Sequence, residues 1–127
     1  CEDVNRLPEG EVERIKALFE EAGATAKISS IHVNGWFGAY DKLAATRRLV
    51  REEFRADLDT ARGSYVFVGD SPNDAPMFEF FPHSIGVANI REFAGRLAHE
   101  PRYVTAAACG AGFREVADFL LAARKQS

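Results

Sequence analysis

Two short apolar runs, Tyr65-Val-Phe-Val68 and Ser84-Ile-Gly-Val-Ala88, constrain the fold more than any other feature of this sequence. Neither alternates apolar with polar residues, so each reads as a strand buried on both faces of a parallel sheet. Parallel strands need crossover connections, and the flanking segments supply them. From Asp41 to Gly63 the residues Leu43, Val50, Phe54 and Leu58 form a stripe, with Asp41 as the N-cap. A short helix containing Met77, Phe78 and Phe81 follows the first run. Residues 91–98 predict another helix, and Tyr103-Val104-Thr105 a third, shorter strand. The last helix carries Phe113, Val116, Ala117, Leu120 and Leu121 on one face. It ends in Arg124 and Lys125, where the helix dipole favours cations. This alternation is the rhythm of an α/β fold with a parallel sheet. Right-handed crossovers gather the C-terminal ends of such strands on one edge, where ligands bind.

The N-terminal part has a different texture. Val12, Ile15, Phe19 and Ala22 give residues 9–22 one apolar face, with Pro8 before the run and Gly23 after it. The β-branched stretch from Ala24 to Val33 has no helical face. Asn34-Gly35 predicts a tight turn, with Trp36-Phe37 starting a return strand. The first ~38 residues therefore read as a helix on a short antiparallel hairpin.

Composition narrows the function classes. The 127 residues carry a formal net charge of −3, and no basic stretch is long enough to grip a phosphate backbone, so nucleic acid is not the expected partner. No apolar run approaches the ~20 residues needed to span a bilayer, so no membrane association is expected. Cys1 and Cys109 show no metal or redox spacing and read as unpaired thiols of a cytoplasmic protein. Beginning at Cys1, with Met77 the sole methionine, the sequence reads as a processed or partial chain.

The chemistry-bearing stretch is Gly69-Asp70-Ser-Pro-Asn73-Asp74, just past the first apolar strand. Carboxylate oxygens gathered there suit a hard divalent cation such as Mg²⁺, which takes a few carboxylates plus substrate phosphate oxygens. A solvated turn leading into a capped helix uses the same residue types. A second feature is Asp41-Lys42. An ammonium at a helix N-terminus is disfavoured by the macrodipole, and phosphate binding beside a metal would account for its position.

The string Gly-Asp70-Ser-Pro-Asn73-Asp74-Ala-Pro-Met77-Phe resembles the fourth motif, GDxxND-xxM, of haloacid-dehalogenase-like (HAD) hydrolases. Asp41-Lys42 followed by a helix resembles that superfamily's third-motif lysine, and Ser84 to Asn89 its next strand. The resemblance covers essentially the whole chain. Residues 39–127 look like the C-terminal part of a Rossmann-like HAD core, and residues 1–38 like the end of a C2 cap. The cap is most similar to subfamily IIB, which includes sugar phosphatases such as mannosyl-3-phosphoglycerate phosphatase.

The resemblance implies a Mg²⁺-dependent phosphatase that hydrolyses a small phosphorylated metabolite, a sugar phosphate, through an aspartyl-phosphate. It makes Asp70 a direct metal ligand. Asp74 supports the metal shell or orients Lys42. Asn73 contacts the phosphoryl group, and Lys42 neutralises charge on phosphate and nucleophile. Positioning and charge neutralisation are what phosphoryl transfer requires.

The family's nucleophile belongs to a DxDGT-like motif after an apolar strand. Asp57-Leu-Asp59-Thr60 matches superficially, but it follows the charged stretch Arg51–Ala56 and lies between the third and fourth motifs. The nucleophile is therefore expected outside this chain, which alone would be inactive. Its absence would expose the Tyr65–Val68 edge, predicting a homodimer or pairing with a missing N-terminal half. The alternatives are a phosphomutase of the same superfamily and a non-catalytic, truncated HAD-like binding or dimerisation module. His32 and Asn34 alternate on the hairpin as lesser candidates for substrate contact, and His83 and His99 read as surface residues. Gly110-Ala-Gly112 reads as the entry turn of the last helix.

Overall fold

The computed structural model describes residues 6–29 and 32–126, which form a mixed α/β fold with two sheets flanked by helices. Contacts divide it into one unit that ends at Ala61 and a second that begins at Arg62.

In the first unit, α1 (Glu9–Glu21) packs on the antiparallel pair β1 (Thr25–Ile28) and β2 (Val33–Trp36). The expected turn at Asn34-Gly35 is not there. Both residues lie within β2, paired with Lys27 and Ala26, and the strands are joined at Ser29 and His32. The Ser29 amide donates to the His32 carbonyl at 2.7 Å, and the His32 amide to Ser29 Oγ at 3.1 Å. Gly35 serves packing instead of turning. A Cβ there would stand 2.5 Å from Cδ1 of Phe19, so the α1 ring lies directly on the strand backbone.

The next segment begins as expected. Asp41 accepts from the Ala44 amide at 2.6 Å and caps α2 (Lys42–Phe54). The single helix expected to reach Gly63 breaks at Arg55, which takes the left-handed conformation with φ 51°. Asp57 then accepts from the Asp59 amide at 3.0 Å and starts a one-turn helix, α3 (Leu58–Ala61). The Asp57-Leu-Asp59 look-alike is thus a helix start, and its second carboxylate is gripped by Arg47 at 2.8 and 3.0 Å. Val50 and Leu58 of the expected stripe are buried, whereas Phe54 is exposed.

The second unit holds a parallel sheet in the order β3 (Phe67–Gly69), β4 (Ser84–Gly86), β5 (Tyr103–Val104). The first strand starts two residues later than the apolar run. The Tyr65 amide is still spent on the Arg62 carbonyl, closing the turn that ends the preceding 3-10 segment. Under one sheet face, α4 (Ala75–Phe80) buries Met77 and Phe78, and Phe81 follows it. The Phe67 ring stacks on Phe81 at 5.8 Å and meets Phe78 edge-on at 5.6 Å. Residues 91–98, expected as a helix, are replaced by a 3-10 segment at Ala88–Phe93 that buries Ile90.

The last helix, α5 (Cys109–Lys125), covers the other face incompletely. Gly112 and Val116 are buried, but Phe113 and Leu121 of the expected apolar face are exposed. Val66, Ile85, Tyr103, Phe119 and Leu120 border a cavity of about 480 Å³ between sheet and helix. Gly110-Ala-Gly112 lies inside the first turns of α5 rather than before it. Cys109 is disulfide-bonded, which corrects its reading as an unpaired thiol. Cysteines far apart in sequence leave no local pairing signal. Cys1 lies outside the described residues. Among the described residues no helix is long and apolar enough to cross a membrane.

Candidate functional site

The C-terminal ends of β3 and β4 and the residues just past β5 meet at one edge of the parallel sheet, and the GDSPND loop leaves from there. Its shape is set by Asp74, which is 3% exposed. Asp74 Oδ2 accepts from the Asp70 amide at 3.0 Å and the Ser71 amide at 3.3 Å, and lies 3.4 Å from Ser71 Oγ. The Asp74 amide returns a bond to the Ser71 carbonyl at 3.0 Å. A buried carboxylate is costly unless donors surround it, and here the loop's own backbone provides them. Ser71 Oγ also donates to Asn73 Oδ1. The loop is a closed knot of hydrogen bonds, with Pro72 fixing the first position of its 3-10 turn.

Asp70 stands apart from that knot. It is half-buried, and the hydrogen bond to its carboxylate among the described residues comes from Asn89 Nδ2, 3.4 Å from Oδ2. Asn89 in turn accepts from the Cys109 amide at 3.0 Å, so one side chain links Asp70 to the start of α5. Asn89 was not singled out from sequence. An asparagine just past a strand looks like any loop residue, and its partners lie 19 and 20 positions away.

The start of α5 is held by further polar contacts. Thr105 Oγ1 donates to the Ala107 carbonyl at 2.6 Å and accepts from the Ala88 amide at 3.1 Å. Glu115 reaches back to the Ala106 and Ala107 amides at 3.0–3.1 Å. Those amides, Ala107 first, hold the Glu115 carboxyl below its ordinary 4.5. A depressed carboxyl stabilises the fold above its ordinary pKa, and that contribution is lost as pH falls through the lowered value. In urea titrations, the stability gap between wild type and Glu115→Gln is therefore expected near neutral pH. It should close as pH drops from about 4.5 downward.

The structure thus brings Asp70, Asn73 and Asp74 together in one loop. Lys42 occupies the first position of α2 in the other unit, with an exposed side chain. His32 and Asn34 are exposed on the hairpin, and His99 Nε2 lies 3.2 Å from a Glu79 carboxylate oxygen on the surface. No group of three or more His, Cys, Asp or Glu side chains gathers as a metal cluster among the described residues. No family model matches the chain, and neither does a curated protein or a solved structure.

Proposed function

We propose that this chain carries the metal- and lysine-bearing part of a HAD-type, Mg²⁺-dependent phosphatase acting on a small phosphorylated metabolite, a sugar phosphate. The observation that carries the reading is the contrast within one loop. Asp74 is consumed in holding the backbone, while Asp70, four residues earlier at the strand end, keeps a carboxylate oxygen without a hydrogen bond among the described residues. Mg²⁺ is commonly held by one or two carboxylates, water and substrate phosphate, so this donor set fits it without an all-protein cage.

In this reading Asp70 is the ligand to the metal, and Asp74 fixes the loop that presents it. Held there, Mg²⁺ would supply positive charge to the phosphoryl oxygens. Asn73 uses its carbonyl oxygen on Ser71, so its amide Nδ2 is left to donate to a phosphoryl oxygen. Lys42 neutralises negative charge on the phosphoryl group and the nucleophile. The nucleophilic aspartate, and with it the aspartyl-phosphate, belongs to sequence outside these residues, and the cap–core boundary falls at 38/39. The outer edge of β3 supports a further strand. Phe67 and Gly69 bond to β4, so Val68 turns its N–H and C=O away from it. That strand comes from a second copy or from the remainder of the protein.

The test is magnesium affinity measured calorimetrically on the full-length protein, alongside phosphate release from a panel of sugar phosphates. Asn89→Ala should weaken magnesium binding by about 10–100-fold, the usual cost of losing a group that orients a ligand. Absence of magnesium binding by the wild type would overturn the reading. Unchanged affinity in the variant would overturn the orienting role of Asn89 alone.

A further inference from the structure

Arg47, Arg51 and Arg55 recur every fourth residue along α2 and its cap, so they stand on one stripe. With Ala56, Asp57, Leu58 and Asp59 they line an open concavity of about 610 Å³. The two acidic residues there are already engaged. Asp59 holds the Arg47 guanidinium in a fork at 2.8 and 3.0 Å, and Asp57 accepts from the Asp59 amide to start α3. Glu52, further along α2, pairs with Arg48 at 2.8 Å. Arg51 and Arg55 are exposed, and their side chains have no ion pair or hydrogen bond among the described residues. One concavity therefore sets three guanidinium groups against two carboxylates, one of which is already held by Arg47.

We propose that this concavity binds the phosphate or diphosphate group of a small molecule. Planar guanidinium forks match tetrahedral oxyanions in pairs of parallel hydrogen bonds, and the forks of Arg51 and Arg55 line the same concavity. The C-terminal carbonyls of α2 stabilise cations at this end, which keeps the site tolerable when empty. A stripe of three arginines on a chain of net charge −3 is too short to follow a nucleic acid backbone, so the ligand is a small anion. Arg55 lies thirteen residues from Lys42, about 20 Å along the helix axis, so one phosphoryl group does not reach both.

The experiment titrates inorganic pyrophosphate at low salt while NMR follows the arginine Nε–H resonances of the full-length protein. Saturable shifts at Arg51 and Arg55 are expected. The double variant Arg51→Gln/Arg55→Gln should weaken binding at least tenfold with its thermal midpoint unchanged. Arg51→Lys, which keeps the charge but loses the fork, should fall between the two and serves if the double variant folds poorly. Arg14→Gln, which removes one charge from the exposed face of α1, should leave the pyrophosphate affinity as it is. Shifts that never saturate, binding that survives the double variant, or binding lost in Arg14→Gln would overturn the proposal. So would a short RNA that outcompetes pyrophosphate at the same arginines.

Discussion

Asp70→Asn in the full-length protein is expected to cut Mg²⁺-dependent hydrolysis of p-nitrophenyl phosphate by about a thousandfold, the scale of losing a preorganised charge stabiliser. The substitution is nearly isosteric, and the loop around it does not rely on the Asp70 side chain. The loop bonds run from the Asp70 and Ser71 amides to Asp74, and these stay. Asn89 Nδ2 donates to Asp70 at 3.4 Å and can donate equally to an amide oxygen in that place. Stability should therefore change by no more than about 0.5 kcal/mol, as for a half-exposed site without a packing role. The two readouts separate the causes. Activity lost with an unchanged denaturation curve assigns the loss to the carboxylate charge, and magnesium affinity should fall with it. Undiminished turnover would remove Asp70 from any metal-binding role.

What was legible in the sequence were features carried by local chemistry. Asp41 before the Leu43 stripe marked a helix start, and the capping bond to the Ala44 amide is there at 2.6 Å. The continuous apolar runs marked the two parallel strands that position the candidate loop, and Met77, Phe78 and Phe81 are core. What was not legible depended on contacts between distant residues. Asn34-Gly35 has the composition of a tight turn, but the ring of Phe19 needs the bare backbone of Gly35, and tertiary packing overrode the turn signal. The break in α2 falls on Arg55, a residue type that rarely takes the left-handed conformation, so nothing local announced it. In the candidate site, the aspartates stood out by residue type and spacing. Their different situations, Asp74 holding the loop and Asp70 keeping a carboxylate oxygen without a hydrogen bond among the described residues, emerge only from the hydrogen bonds.

Gly69→Ala is the second large effect, and it tests the same loop through packing. A Cβ at position 69 would stand 2.6 Å from Asp74 Oδ2, 2.9 Å from its Cγ and 2.9 Å from Cε1 of Phe67. Neither neighbour has room to yield. Asp74 cannot withdraw without giving up the Asp70 and Ser71 amides, which would leave buried donors unpaired. Phe67 is held between Phe78 and Phe81, with the Phe81 ring stacked against it at an interplanar angle of 9°. The expected cost is about 2–3 kcal/mol, typical of forcing a methyl group into a filled core. It should appear as a drop of roughly 10 °C in the thermal midpoint. Gly63→Ala is the matched control, since nothing lies within 4 Å of a Cβ there, and it should unfold within about 0.5 kcal/mol of wild type. If Asp74 instead swings aside to admit the methyl group, the Asp70 and Ser71 amides lose their acceptor, so stability still falls by about 1–3 kcal/mol and magnesium affinity falls with it. A Gly69→Ala protein with both wild-type stability and wild-type magnesium affinity would show that Asp74 does not brace this loop.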